Sequence, residues 1–286
     1  MNKISVFGST GFIGSRFCEM YPDEVLKIPR NDRSPLSSDI LYLISTVDNY
    51  NVHKDLHVDI NTNLTILMEL LESIKKTTFK KPPTINFVSS WFVYGQNNEI
   101  PFREDYSHCN PTGFYSITKR CAEQMLICWC NTFEYQYRIF RLANVVGEGD
   151  KKISNQKNAL QFLIKEVVHN RDVPLYYGGE VLRDYIYVDD VCAGIKLCMD
   201  TSPVNQIYNI GNGIPLRFLD IINKAIVEAN STSKIIHIPP KKFHNIVQVR
   251  HSYLDITKIQ NLGYKQQYDI DTIIKRLVNH YKTYAY

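Results

Sequence analysis

The chain has 286 residues, 44% of them hydrophobic and 22% charged, the balance of a folded protein with an ordinary core and room for one or two domains. Its net charge of +4 is spread along the chain, and aromatic residues do not interleave with the lysine pairs at 75–76, 80–81 and 241–242; these read as solvated faces, and no nucleic-acid partner is expected. Seven irregularly spaced cysteines, with Cys128 and Cys130 lacking a second pair to complete a metal site, read as buried thiols of a reducing compartment, with no metal. No apolar stretch approaches the roughly 18 residues of a membrane span. The opening Met-Asn-Lys leads into a short apolar run without the features of a signal peptide, so a cytoplasmic protein with no membrane partner is expected.

In chain order, apolar runs at Ile4–Phe7, Val25–Ile28, Ile40–Ser45, Ile85–Ser89 and Tyr137–Leu142 alternate with helical stretches at Phe12–Tyr21, Asn61–Lys76 and Tyr115–Phe133. The second helix shows Leu64, Leu67, Leu70 and Leu71 on one face. This alternation predicts an α/β fold, a doubly wound parallel sheet covered by helices. After Gly147 comes a polar loop, then a helix at "ALQFLIKEVVHN", then in "RDYIYVDDVCAGIKLCMD" a strand followed by a helix starting near Asp189 or Asp190, whose carboxylates suit a helix N-terminus. The end of the chain reads as two helices around Gly263. The expected division is a first domain over 1–147, rejoined by 184–210, and a smaller lobe from 148–183 and 211–286.

Gly8-Ser9-Thr10-Gly11-Phe12-Ile13-Gly14 follows a strand and opens a helix. Glycines there permit a tight turn, close approach of backbone to a pyrophosphate, and packing of helix on strand. Further on, Tyr115 and Lys119 stand four apart on a predicted helix and project from one face. A tyrosine with an ordinary pKa near 10 becomes an acid–base catalyst only if neighbouring charge favours its phenolate. Ser89 and Ser90 end the preceding strand, at the sheet edge where open α/β proteins bind ligands.

Together these features resemble the short-chain dehydrogenase/reductase superfamily in its extended, nucleotide-sugar-modifying branch. "SSWFVYG" is similar to that branch's Ser-Ser-x-x-Val-Tyr-Gly, "RLANVVGEGD" to its Arg-x-x-Asn-Val-x-Gly, "RDYIYVDDV" to its Arg-Asp-Tyr/Phe-Ile-x-Val-Asp-Asp and "YLDITKIQNLGY" to its C-terminal motif. The resemblance implies a Rossmann-type sheet with a smaller substrate lobe. It implies Tyr115 as acid–base residue, Lys119 as holder of the nicotinamide ribose and tuner of Tyr115, and Ser90, four before Tyr94, as the hydroxyl bonding the same sugar oxygen. Cofactor contacts are implied for Gly8, Gly11, Phe12, Ile13, Gly14, Arg30, Ser45, Thr46, Lys119 and Leu142. Substrate contacts are implied for Ser90, Trp91, Phe92, Asn144 and Arg183, the last two at the diphosphate of a nucleotide sugar. Asp189 and Asp190 are expected to be structural caps and Asn63 structural. The family pairs helices 61–76 and 115–133 into a four-helix bundle, so a homodimer burying Met68, Met125, Ile127 and Trp129 is expected.

Two departures from the family pattern stand out. Only about a dozen residues, "PRNDRSPLSSD", join the second strand to the next, where the family inserts a helix and a strand; the adenine side of the cofactor pocket is expected to be trimmed and open. The family's C-terminal Arg-x-Gly-Asp segment is absent from "KKFHNIVQVRH", where Asn245 holds the arginine's place and Arg250 lies near.

Trp91 and Phe92 narrow the implied chemistry. Related 4,6-dehydratases carry Asp-Glu there, because elimination of water needs a proton donor and a base. Without them the site moves a hydride and one proton, leaving a 4-ketoreductase or a 4-epimerase; a non-catalytic NADP-binding scaffold is the remote alternative. An acidic residue after the second strand bonds a ribose 2′-hydroxyl, whereas arginine accommodates a 2′-phosphate. Arg30, with Lys27 and Arg33 near it, favours NADP(H) and so a reductase of a 4-keto, 6-deoxy sugar nucleotide; Asp32 keeps NAD open, and with NAD the epimerase.

Overall fold

The computed structural model describes residues 3–96, 99–105, 108–150, 153–154 and 157–284. Its strands are β1 (Ile4–Phe7), β2 (Val25–Lys27), β3 (Asp39–Tyr42), β4 (Thr84–Ser90), β5 (Gln136–Leu142), β6 (Asn144–Val146), β7 (Val173–Tyr176), β8 (Leu182–Arg183), β9 (Tyr185–Tyr187), β10 (Gln206–Ile210), β11 (Leu216–Arg217) and β12 (Ile235–Ile238). The helices are α1 (Phe12–Met20), the single turn α2 (Val58–Ile60), α3 (Ile66–Lys76), α4 (Phe114–Phe133), α5 (Ala159–Val168), α6 (Val188–Thr201), α7 (Phe218–Ala229), α8 (Lys242–Val247), α9 (Thr257–Gln260) and α10 (Ile270–Thr283).

Six strands form one parallel sheet in the order β10-β5-β4-β3-β1-β2. Parallel strands buried on both faces must be apolar on both, and alternate residues here serve two cores. Ile4, Val6, Leu41, Phe140 and Leu142 pack with Phe17 of α1 and Val191 and Ile195 of α6. Phe7, Ile40, Tyr42, Ile85, Phe87 and Ile139 face Leu67, Leu70 and Leu71 of α3 and Ala122 and Leu126 of α4. This is the doubly wound, Rossmann-type sheet that the sequence predicts. β1 has β2 on one side and β3 on the other, so the order reverses around it, and a crevice opens beyond its carboxyl end. Neither helix nor strand lies between Lys27 and Asp39, as the short spacing predicts.

Among the elements before Gly147, two boundaries differ from the sequence reading by more than one residue. The third strand stops at Tyr42, leaving Ser45 and Thr46 in a loop above the sheet edge. The long helix expected from Asn61 begins with a π-helical turn, Asn61–Thr65, which runs into α3. Such turns occur often at functional sites.

Asp189 and Asp190 are structural, though not as caps. Asp189 takes two hydrogen bonds from the Arg16 guanidinium, at 2.6 and 2.8 Å, tying α6 to α1. Asp190 accepts from the backbone N–H groups of Gln267 and Tyr268. Asp184 is buried and accepts the N–H groups of Asn212 (2.9 Å), Gly213 (3.1 Å) and Leu254 (3.3 Å). It thereby joins the end of the β10 segment to the C-terminal lobe. That lobe contains α5, α7 and α10, the parallel pair β7–β12 and the antiparallel pair β8–β11. The cysteines are not all buried: Cys128 is exposed on α4.

Candidate active site

The turn after β1 is built on glycine for steric reasons. Gly8 has φ of +84°, and a Cβ on Gly14 would lie 2.1 Å from the Gly8 carbonyl oxygen. The Gly11 N–H closes the turn onto that oxygen at 3.0 Å. α1 therefore starts directly against the strand end, its first N–H groups facing the crevice where an anion is favoured.

The crevice continues as one cleft of about 1910 Å³ running from this turn to the C-terminal lobe. Gly8, Gly11, Phe12, Ile13, Gly14, Arg30, Ser45, Ser90, Trp91, Phe92, Tyr115, Lys119, Leu142, Asn144 and Arg183 all line it. Thr46 does not: its hydroxyl donates to the Asp59 carboxylate, and its N–H donates to Asn63 Oδ1 at 2.9 Å. Arg30 is exposed on the cleft wall, whereas the Asp32 carboxylate is turned onto the Ser34 N–H at 2.8 Å and does not line the cleft. Arg33 pairs with Glu69 at 2.9 Å.

Ser89 and Ser90 end β4, and the Ser90 hydroxyl accepts the Phe92 N–H at 3.3 Å, capping a 3₁₀ turn that carries Trp91 and Phe92. α4 brings Tyr115 and Lys119 to the same edge, because residues four apart share the helix face that packs on the sheet. Tyr115 is 8% exposed; burial pushes its phenol up to about 12, with hydrogen bonding to Ser90 acting downward, the Asp59 carboxylate upward and Ser45 downward. Lys119 is 2% exposed, and burial lowers it to about 7 against the opposing pull of Glu123. Its ammonium donates to the Val88 carbonyl at 2.7 Å and sits 4.1 Å from the Phe87 ring centre. Besides burial, the groups acting on the phenol here are Ser90, Asp59 and Ser45.

The aromatic pair is held rigidly. Trp91 is 3% exposed and stacks on Phe92 with ring centres 3.9 Å apart, and Phe92 meets Tyr115 edge-on at 6.1 Å. Trp91 Nε1 donates to Asn144 Oδ1 at 3.2 Å, while Asn144 Nδ2 donates to the Asp184 carbonyl at 2.9 Å. Asn144, expected at a diphosphate, has both ends of its amide engaged with the protein. Arg183 lies 5.9 Å from the Trp91 ring centre; its Nη1 donates to the carbonyls of Leu182 and Arg250, and it has no ion pair among the described residues.

Sequence reasoning missed the roof. α8 crosses from the C-terminal lobe to the 3₁₀ turn Asn49–His53. Phe243 packs edge-on against Tyr50 (5.1 Å) and His53 (4.3 Å), and the Tyr50 hydroxyl meets His244 Nδ1 at 3.2 Å. Burial, then the nearby Arg183, lowers His244 to about 4, leaving it neutral. Asn245 accepts from the Tyr177 hydroxyl, and Asn245, Arg250 and His251 line this end of the cleft. Only the departure at Asn245 and Arg250 hinted at this region in the sequence.

A parallel sheet with a glycine turn at its switch point, and Ser, Tyr and Lys gathered at the strand ends, defines an oxidoreductase fold of the short-chain type. The chain belongs to the NAD dependent epimerase/dehydratase family, whose model matches residues 38–211. Among curated proteins it is similar to a putative UDP-glucose 4-epimerase of Methanocaldococcus jannaschii, 29% identical over 222 residues, covering 77% of this chain and 68% of that protein. It is also similar to UDP-glucuronate 4-epimerase 5 of Arabidopsis thaliana, 25% identical over 240 residues that cover 78% of this chain; the match spans 53% of that protein, about half its length. Among solved structures, the fold is shared with RMD from Pseudomonas aeruginosa complexed with NADPH (TM-score 0.87, 19% identity, 99% of this chain and 100% of that one). It is shared too with a UDP-glucose 4-epimerase from Thermotoga maritima with UDP-glucose (TM-score 0.84, 23% identity, 98% of this chain and 99% of that one).

Proposed function

We propose that the protein reduces the ketone of a nucleotide-linked 4-keto, 6-deoxy sugar with NADPH. The observation that carries the cofactor choice is that Arg30, and not Asp32, lines the cleft beyond β2. A guanidinium there meets a 2′-phosphate with forked hydrogen bonds. The glycine turn and the start of α1 take the pyrophosphate, Ser45 and Leu142 flank the nicotinamide end, and Lys119 holds its ribose. When bound, the dinucleotide supplies the hydride.

The protein's own residues do the rest. Tyr115 gives a proton to the sugar oxygen, and Ser90 hydrogen-bonds that oxygen. Trp91 and Phe92 form a flat apolar wall beside it, which suits a methyl group at the sugar's outer carbon and supplies no carboxylate for eliminating water. Arg183, a guanidinium with no acidic partner among the described residues, takes the diphosphate. In this reading residues 1–147 and 184–210 hold the cofactor, and 148–183 with 211–286 hold the nucleotide sugar. The setting is the cytoplasm.

A homodimer is part of the proposal. α4 exposes Phe114, Ile117 and Met125, at 40%, 47% and 36%, along its outer side, while Met68, Ile127 and Trp129 are half-buried and Trp129 stacks on Tyr135 of its own chain. A dimeric mass by light scattering is the corresponding check.

The 4-epimerase reading is favoured by the names of the curated relatives. One assay separates the two. With a 4-keto-6-deoxy nucleotide sugar, a reductase consumes NADPH stoichiometrically. Purified protein that carries tight NAD and interconverts two 4-hydroxyl epimers, with no net change in reduced-nicotinamide absorbance, overturns the proposal. In the same assay Arg30→Ala is expected to raise KM for NADPH about tenfold or more and to leave NADH nearly unchanged, the loss of one charge-assisted contact. Equal effects on both would remove Arg30 from the cofactor site.

A further inference from the structure

The segment between β2 and β3 contains neither helix nor strand, so its backbone groups find their partners outside any regular ladder. Its second half is tied to the sheet: Ser5 of β1, fully buried, accepts the N–H groups of Leu36 and Ser37, both at 2.9 Å. The first half, which carries Arg30, is held differently. The Ile28 N–H donates to the Val6 carbonyl at 3.1 Å, and the Asp32 N–H closes a turn onto the Pro29 carbonyl at 3.0 Å. Beyond that, one side chain does the holding.

That side chain is Arg33. Its Nη1 donates to the carbonyls of Arg30, at 2.9 Å, and Asp32, at 3.0 Å. Its Nε donates to Glu69 Oε2 at 2.9 Å. Glu69 stands on α3 between Leu67 and Leu70, both fully buried against the sheet, so its carboxylate is presented from a rigid element. Contacts therefore run without a break from the core under α3, through Glu69 and Arg33, to the backbone of Arg30. A planar guanidinium can grip a carboxylate and two carbonyls at once, which an ammonium on a flexible stem does less well.

Neither stability nor charge accounts for Glu69. Its side chain is 50% exposed and that of Arg33 19%, and ion pairs at the surface contribute little to folding. Arg33 lines the cleft, and a carboxylate kept this close to an anion site opposes the binding of a phosphate. What remains is the shape of the turn that Glu69 fixes.

We propose that Glu69 is a positioning residue for the cofactor: through Arg33 it holds the turn at 29–33 in the shape that brings Arg30 to the 2′-phosphate of NADPH. The proposal rests on the NADPH reading, in which Arg30 takes that phosphate. A turn left free to move would have to be ordered as the cofactor binds. That cost falls on NADPH, because NADH offers Arg30 no phosphate.

The test is the dissociation constant of NADPH and of NADH, read from quenching of the protein's tryptophan fluorescence, so that no sugar substrate is needed. Glu69→Ala is expected to weaken NADPH roughly threefold to tenfold, part of the worth of a charge-assisted contact, and to leave both NADH binding and the melting temperature nearly unchanged. Glu69→Gln removes the same charge but keeps an oxygen for Arg33 Nε, and is expected to retain most of the NADPH affinity. Arg33→Lys, which keeps the positive charge and loses the fork, is expected to behave as Glu69→Ala does. If charge alone mattered, both Glu69 variants would bind NADPH more tightly than the wild type, and equally so. NADPH binding in Glu69→Ala that is unchanged, tighter or weakened in step with NADH overturns the proposal alone, provided that Arg30→Ala still discriminates between the two cofactors. Arg30→Ala that affects both cofactors equally overturns the NADPH reading, and this proposal with it.

Discussion

Replacing Tyr115 with phenylalanine is expected to lower kcat by at least about a hundredfold, the usual worth of a positioned general acid, with little change in thermal unfolding. The ring's packing survives the change, since its edge-on contact with Phe92 and its place on the sheet-facing side of α4 involve carbon atoms only. What disappears is the hydroxyl, which Ser90 and Ser45 flank and which burial holds in its protonated form at neutral pH. In the proposed reaction Ser90→Ala should cost less, because it would remove a hydrogen bond to the sugar oxygen and leave the proposed proton carrier in place. Steady-state kinetics with circular-dichroism melts distinguish loss of chemistry from loss of fold. Turnover near the wild-type rate in Tyr115→Phe would remove Tyr115 from the centre of the mechanism.

Glu123→Gln is expected to destabilise the protein by about 3–5 kcal/mol, the cost of breaking a buried ion pair by removing one partner, which corresponds to a melting temperature lower by roughly 10 °C. Glu123 lies one turn beyond Lys119 on α4 and is fully buried; it takes two bonds from Arg141, at 3.1 and 2.8 Å, and one from Arg120 at 2.9 Å. Arg141, 1% exposed on β5, would be left without a counter-charge against the Tyr94 ring, whose centre is 4.7 Å away. Arg120→Ala should cost much less, because that side chain is 24% exposed and Arg141 keeps its partner.

The pair also fixes the direction of acid sensitivity. Burial works against the Glu123 charge, but Arg141, Ser89 and Arg120 more than offset it and hold the carboxyl below its ordinary range. A depressed carboxylate contributes stability above its unfolded pKa and loses it as pH falls through the folded value. Acid unfolding should therefore draw on Glu123 in the wild type, and the stability gap between it and Glu123→Gln should narrow at low pH. A gap that is the same at neutral and acid pH would show that the charge of Glu123 is not its source. Lys119 feels the same carboxylate, so the substitution links stability to the active site.

What the sequence determined by itself was everything carried by neighbours along the chain. Strand and helix periodicities are local, and so are a glycine turn between strand and helix, a tyrosine and a lysine one helical turn apart, and serines at a strand end. The short run between Lys27 and Asp39 told of a trimmed sheet edge because too few residues remain there for a helix and a strand. Tertiary structure alone decided which partner a polar side chain takes. Asn144 faces Trp91 across 53 residues, Asp189 leaves its own helix end for Arg16 across 173, and Thr46 turns from the cleft to Asp59. The roof of α8 over Tyr50 and His53 belongs with these. A buried polar group must find a partner, and nothing in local spacing says which distant element will be packed within about 3 Å of it.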